Sequence, residues 1–380
     1  MDPLTHSLVG AALAQSSRRR LGLTEGAALL IGANLPDLDA LTYFVSQDLA
    51  FGFRRGWTHG PAGLVLGAPL LAGALLASDR LVRARRGGGD PGPSFAILLR
   101  LAAIAIASHP LLDWLNTYGV RFLMPFSDRW FYGDALFIID PWIWLLLGGA
   151  VFLSRAAIGV LEGLGWAALT LLGSALMLMT GMAPVGAKGV WIAGLLGIAL
   201  ARFMRRMRTP RVARAGLLLG AIYAAAMVAV SWTASAMIPG RFAREEPASL
   251  EALMVGPLAC NPMRWDVVAR TREGYRRASW HWLRQPHLEL NAERIAKPPD
   301  TPIVRDALAD PSVRGTMGWM RFPYVEVEPD PASVDRWIVR IMDLRYVRDR
   351  REGFGIATVT VETPSRAPTR AETPPSGTER

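Results

Sequence analysis

The chain has 380 residues, 51% of them hydrophobic, a single cysteine and a formal charge of +10. One cysteine excludes an intrachain disulfide scaffold, and the long apolar runs before residue 239 exclude an ordinary soluble protein in favour of a membrane-embedded first part joined to a water-exposed second part. The positive charge is carried by arginine, since Lys188 and Lys297 are the only lysines, and the arginines sit at the ends of apolar segments as topology signals and headgroup anchors. No nucleic-acid partner is expected. The first fourteen residues lack a basic start and contain His6, so no removable signal peptide is expected.

Two short apolar stretches come first, at roughly 3–16 and 24–35, each below the ~20 residues that a span needs. Full-length candidates follow at roughly 60–78, 95–117, 136–154, 157–181, 189–204 and 214–238. The expected fold is therefore an α-helical polytopic membrane bundle of about six full spans plus two short N-terminal helices, followed by a small α+β extramembrane domain. Four arginine groups mark turns between segments: Arg18–Arg20; Arg80, Arg83, Arg85 and Arg86; Arg155; and Arg202, Arg205, Arg206, Arg208, Arg211 and Arg214. Read alternately, all four fall on one side, which the positive-inside rule makes cytoplasmic. The last span then exits, and everything after Pro239 is expected outside the inner (cytoplasmic) membrane. Arg54 and Arg55 fall on the outer side in this scheme.

On that map the ionisable residues gather. His6 starts the first short helix; "NLPDLDAL" puts Asp37 and Asp39 at the end of the second; "RRGWTHGPAG" puts His59 at the start of the 60–78 span. In "IAIASHPLLDWLNTYG", His109 and Asp113 are four residues apart and so share one helical face. Asp140, in "FIIDPWIW", begins the next apolar segment. Ionisable groups in a span cost several kcal/mol (~3 per residue on insertion scales) unless paired, hydrated or bound to an ion. Neutral imidazole and carboxylate are ordinary ligands for zinc, manganese or iron, so a divalent metal removes that cost. Each piece also has a plainer use: His109 with Asp113 as a hydrogen-bonded pair, "PDLD" as a helix terminus, and His59 as a cap. Together they point to a metal or proton site at the outer interface. Arg54 and Arg55 suit an anionic substrate, and equally a salt bridge to an aspartate.

The ordered blocks "MDPLTHSLVG", "IGANLPDLDAL", "RGWTHG", "SHPLLDWLNTYG" and "PFSDRWFYGDALFIIDPW" resemble the YdjM-like inner-membrane proteins over residues 1–155. "CNPMRWDVV", "RFPYVEVE" and "IMDLRY" are similar to the longer, YfhP-type members, which extends the resemblance to all but the tail. The resemblance implies a metal-dependent hydrolase, with His6, Asp37, Asp39, His59, His109 and Asp113 at the metal-binding positions and Asp134 and Asp140 at shared acidic ones. Zinc is the expected ion. Any carboxylate left uncoordinated, Asp140 or Asp134, would serve as base or hold a ligand histidine. One departure is Gly60, where many relatives carry serine.

From Arg241 onward, "PASLEALM" reads as a helix and "RWDVVART", "YRRASWHWL", "FPYVEVE", "RWIVRIMDLRY" and "FGIATVTVE" as strands of one antiparallel sheet, with a helix at "IVRDALAD". His281 and His287, six apart, read as ordinary sheet or surface residues. The expected organisation is a membrane core at 1–155, further membrane helices at 156–239, an extramembrane domain at 240–362 and a disordered tail at 363–380. The leading functional expectation is a membrane-embedded metal-dependent hydrolase acting on an ester or phosphoester of a lipid or lipid-linked substrate. The alternatives are an ion or proton transporter, and a non-catalytic sensor or assembly protein with a structural metal.

Overall fold

The computed structural model describes residues 1–87, 92–155, 157–204, 210–246, 249–333, 335–347 and 354–362. The expected disordered tail at 363–380, and Arg205, Arg206 and Arg208 of the fourth arginine group, lie outside the described residues. The chain divides into two compact units, Met1–Ala296 and Lys297–Arg380.

The first unit begins with α1 (Pro3–Ser16) and α2 (Leu23–Gly32). Asp2 caps α1 by accepting from the Thr5 N–H at 3.0 Å, and Pro3 occupies the first turn, where its missing N–H costs nothing. A 3-10 helix (Leu35–Phe44) and the short α3 (Gln47–Phe53) lead to α4 (Pro61–Arg86) and α5 (Phe95–Trp114). After α6 (Pro141–Ser154), which widens into a π-turn over Trp144–Gly148, come α7 (Val160–Met179), α8 (Val185–Phe203) and α9 (Pro210–Glu245).

Among the described residues, α4, α5, α7, α8 and α9 are long and apolar enough to cross a membrane. The span expected at 136–154 is not one of these: Asp140 and Pro141 start the helix late, leaving Pro141–Ser154. At 1.5 Å per residue that is about 20 Å, against a hydrocarbon core of ~30 Å.

Small residues set the helix spacing. A side chain on Gly32 of α2 would meet the Ala105 Cβ of α5, and one on Gly10 of α1 would meet the Leu29 carbonyl of α2. The three backbones therefore approach closely, the usual way apolar helices gain contact in lipid.

The arginine-bearing ends are tied together. Arg214 Nε donates to the Ser16 carbonyl at 2.8 Å, Ser154 hydrogen-bonds Gln15, Arg202 Nη1 donates to the Arg155 carbonyl at 2.6 Å, and Thr24 Oγ1 donates to Asp79 at 2.6 Å. At the opposite end α9 delivers the chain to an antiparallel sheet in the order β1 (Leu250–Leu258), β2 (Asn261–Thr271), β3 (Gly274–His281), β4 (Leu288–Ala296). One core runs from Leu8, Leu115 and Leu136 through Ile238 and Phe242 of α9 to Val255, Trp265 and Trp280 of the sheet.

The second unit holds β5 (Pro323–Pro329), β6 (Arg336–Asp343) and β7 (Ala357–Glu362) as a separate antiparallel sheet, covered by α10 (Pro302–Ala309) and followed in the chain by α11 (Arg314–Trp319). Residues 240–362 thus contain two sheets rather than one, and the first shares its core with the helices. "PASLEALM" is not a helix: Leu250–Leu258 pairs with β2, and those ladder bonds override the local helix preference. The strand β4 was not expected, because its exposed stretch through Glu293 and Arg294 breaks the alternation.

Candidate metal centre

Three segments supply the centre, the 3-10 helix (Asp37), the turn before α4 (His59) and α5 (His109 and Asp113), and the spacing of their backbones decides which atoms meet. The Gly32–Ala105 approach places the Ala33 carbonyl 2.7 Å from His109 Nδ1. A carbonyl oxygen only accepts, so Nδ1 carries a proton and Nε2 is the nitrogen turned toward the carboxylates. That Nε2 is buried and has no hydrogen-bond partner. It faces Asp113 Oδ2 at 3.5 Å and Asp37 Oδ1 at 3.7 Å.

His59 follows the same logic. Its Nδ1 lies 2.9 Å from Thr58 Oγ1, which in turn donates to Asp39 Oδ2 at 2.9 Å. The chain of donors runs His59 to Thr58 to Asp39, and His59 Nε2 points inward, within hydrogen-bond distance of Asp113 Oδ2 at 3.1 Å. Two imidazole Nε2 atoms and two carboxylates thus converge, with all four ligand atoms of Asp37, His59, His109 and Asp113 within 4.8 Å of one another.

The two carboxylates are already offset in part by Arg54, Arg55 and the Met1 amino group. A tetrahedral ion held at 2.0–2.1 Å keeps its ligand atoms about 3.4 Å apart. The contacts of 3.1, 3.5 and 3.7 Å bracket that edge. The donor set therefore fits one divalent ion, and Asp37, His59, His109 and Asp113 would hold it.

The remaining predicted residues surround these four. His6 is stacked on His109 with ring centroids 3.7 Å apart, and its Nε2 is 3.3 Å from Asp113 Oδ1. The Met1 amino group contacts the same oxygen. Asp39 stands behind His59, accepting from the Arg55 N–H at 2.8 Å and lying 3.4 Å from Arg54 Nε. Burial alone would raise the Asp37 and Asp39 carboxyls, but His109 beside Asp37, His59 beside Asp39 and Arg54 beside both outweigh it and hold the two below the usual carboxylate range.

Arg54 and Arg55 are both salt-bridged to aspartates. Arg54 Nη2 reaches Asp37 Oδ1 at 3.1 Å with 17% of its side chain exposed. Arg55 is 2% exposed, and its Nε lies 2.9 Å from Asp113 Oδ2 in an ion pair not aligned for a hydrogen bond. It adopts φ +52°, rare for a residue with a side chain, in a turn fixed by the Asp39 carboxylate on its N–H.

Asp140 serves as the cap of α6, with Oδ1 accepting from the Trp142 and Ile143 N–H groups and Oδ2 accepting from Tyr223. Asp134, at φ +48°, lies in the segment that folds over the end of α5, where its carbonyl accepts from Ser231. Neither belongs to the converging four.

Sequence reasoning missed Asn116 and Thr58. Asn116 is 1% exposed and accepts from Arg55 Nη1 at 2.9 Å, which sets the guanidinium 4.5 Å above the Tyr118 ring. The signal was present, since "WLNTYG" places a polar amide directly after an apolar span. Gly60 also gains a reason: a side chain there would run into the Met124 carbonyl, so a serine has no room.

The YdjM inner membrane protein family model matches residues 1–187. The first half of the chain is a YdjM-family membrane region. The uncharacterized protein YfhP of Bacillus subtilis (strain 168) is 23% identical over 118 residues, 31% of this chain and 33% of that protein. The match thus spans about a third of the length of YfhP. No solved structure matches the chain. The YdjM match, together with helices long and apolar enough to span, makes this a multi-pass inner-membrane protein. All four converging residues lie within the YdjM region.

Proposed function

We propose that the protein is a membrane-embedded metal-dependent hydrolase with one divalent ion, zinc by its donor set, held by Asp37, His59, His109 and Asp113. The observation that carries the proposal is the convergence of ligand atoms: a carbonyl keeps a proton on His109 Nδ1, and its buried Nε2 faces two carboxylates with no aligned hydrogen-bond partner. A bound ion would supply Lewis-acid polarisation of an ester carbonyl or phosphoryl oxygen and would acidify water near neutral pH.

The chain's own residues do the rest. The Ala33 carbonyl and the Thr58–Asp39 relay keep protons on the two Nδ1 atoms, and burial of His59, His109 and Asp113 keeps bulk water out. Arg54 and Asp37 are the partly exposed members, so Arg54 is the cation that an incoming anionic group meets first.

An amphiphilic ester or phosphoester suits that rim. The 3-10 helix that turns Asp37 and Asp39 inward exposes Leu38, Leu41 and Phe44 on its outer side, at 56%, 57% and 88%. The tied arginine ends lie opposite the centre, and reading them as cytoplasmic by the positive-inside rule supports a centre and first sheet at the outer face.

The test is elemental analysis of the detergent-purified protein and of His109→Ala and Asp113→Asn, paired with hydrolysis of ester and phosphoester amphiphiles before and after chelation. Stoichiometric metal in the wild type, lost in both variants together with hydrolysis, is the expected result. Wild-type metal no higher than in His109→Ala would overturn the metal reading. Full metal with cation flux in liposomes and no hydrolysis would overturn the hydrolase reading.

A further inference from the structure

A cavity of about 870 Å³ lies between α6, α7 and α8, and its walls carry none of the centre's residues. Its existence follows from the sequence. Gly148 and Gly149 of α6 and Gly163 and Ala167 of α7 line it without long side chains, and the π-turn over Trp144–Gly148 widens the helix that faces them. Trp144, Trp166, Trp191 and Phe152 give it an aromatic wall.

From Trp191 to Arg202 the cleft follows α8 for about 16 Å, the depth of one leaflet of a ~30 Å hydrocarbon core. It ends at the arginine-bearing side. There the Arg202 guanidinium lies 5.3 Å over the Phe152 ring and donates to the Arg155 carbonyl at 2.6 Å. Arg155 is paired with Glu162 at 2.8 Å, whereas no carboxylate lies within 4.0 Å of Arg202 among the described residues. Two arginines thus face the single carboxylate of Glu162, and a one-leaflet apolar slot closed by this net positive charge is complementary to a lipid whose phosphate carries net negative charge. Basic pockets between helices on the cytoplasmic side bind such headgroups.

We infer that this cleft is a binding site for one anionic phospholipid of the arginine-side leaflet, with an acyl chain along the tryptophan wall and its phosphate at Arg202. The inference stands apart from the metal centre and from any reaction there.

Native mass spectrometry of the full chain tests it, after exchange into micelles holding equal phosphatidylglycerol and phosphatidylethanolamine. The wild type is expected to retain one lipid and to prefer phosphatidylglycerol about five-fold, the preference that a single basic residue near a headgroup supplies. Arg202→Gln is expected to lose the preference and Arg202→Lys to keep it, while Ala167→Trp, which fills the slot, is expected to lose retention of both lipids. Equal retention of the two lipids by the wild type would overturn the inference. So would an unchanged preference in Arg202→Gln, a variant at the rim that settles the question even if Ala167→Trp fails to fold. Dimers in place of lipid adducts would assign the cleft to a second copy and overturn it as well.

Discussion

Asp39→Asn separates a ligand from a residue that positions one. Asp39 Oδ2 accepts from Thr58 Oγ1 at 2.9 Å and from the Arg55 N–H at 2.8 Å, and it lies 3.3 Å from His59 Nδ1. It is not one of the four residues whose ligand atoms converge. An asparagine keeps one acceptor oxygen but presents an amide N–H to neighbours that are themselves donors. The relay that holds the His59 proton on Nδ1 is thereby weakened, while all four ligands remain. Outer partners of this kind are worth 10- to 100-fold in metal affinity, or about 1.4–2.7 kcal/mol. The assay is competition for zinc against a chromophoric chelator in detergent, with Asp113→Asn and His109→Ala alongside. Asp39→Asn should weaken binding by about one to two orders of magnitude and still reach full occupancy at saturating metal. If it abolished binding as Asp113→Asn does, Asp39 would be a ligand. If it changed nothing, the Thr58–Asp39 relay would play no part in orienting His59.

Further outcomes follow from the same geometry. Arg55→Met should cost ~3–5 kcal/mol of stability by denaturant titration, since it strips a buried partner from Asp113. Arg54→Met should cost less than Arg55→Met, because its pair with Asp37 is partly exposed, although it also loses the 3.4 Å contact with buried Asp39. Gly60→Ser should destabilise by ~1–3 kcal/mol, because its side chain meets the fixed Met124 carbonyl, and thermal unfolding in detergent would show it. Zinc at 100 times its dissociation constant should stabilise the chelated protein by ~2.7 kcal/mol, read as a thermal shift that His109→Ala lacks. The depressed Asp37 carboxyl contributes stability that is complete above its unfolded value near 4 and is lost as pH falls through the folded one. The stability gap between metal-free wild type and Asp37→Asn should therefore be flat from about pH 7 to 5 and shrink below about 4, as thermal unfolding across pH would show.

Much of the site was legible in the sequence because membrane segments obey strong one-dimensional constraints. Apolar runs declare helices, arginines declare their ends, and an ionisable residue at a helix end in such a context is costly enough to need a reason. His6, Asp37, Asp39, His59, His109 and Asp113 could thus be named together, and the tied arginine ends agree with that map. Length alone did not settle α6: a cap and a proline at Asp140 and Pro141 shorten an apolar run that otherwise reads as a span.

Sequence by itself determined the long apolar helices, the grouping of the arginines and the residue types that gather opposite them, since each is a local property of composition and period. Only the tertiary structure decided which atoms face one another. Whether Asp39 reaches inward or backs His59, whether Arg55 meets a ligand or Asp113, and which nitrogen of His109 keeps its proton depend on how closely Gly32 lets α2 approach α5, and on the turn at Arg55. The split of the strands into two sheets was likewise settled by long-range pairing and by a core that joins β1–β4 to the helices. A side chain's partner is fixed by distances between segments far apart in the chain, and no local pattern encodes those.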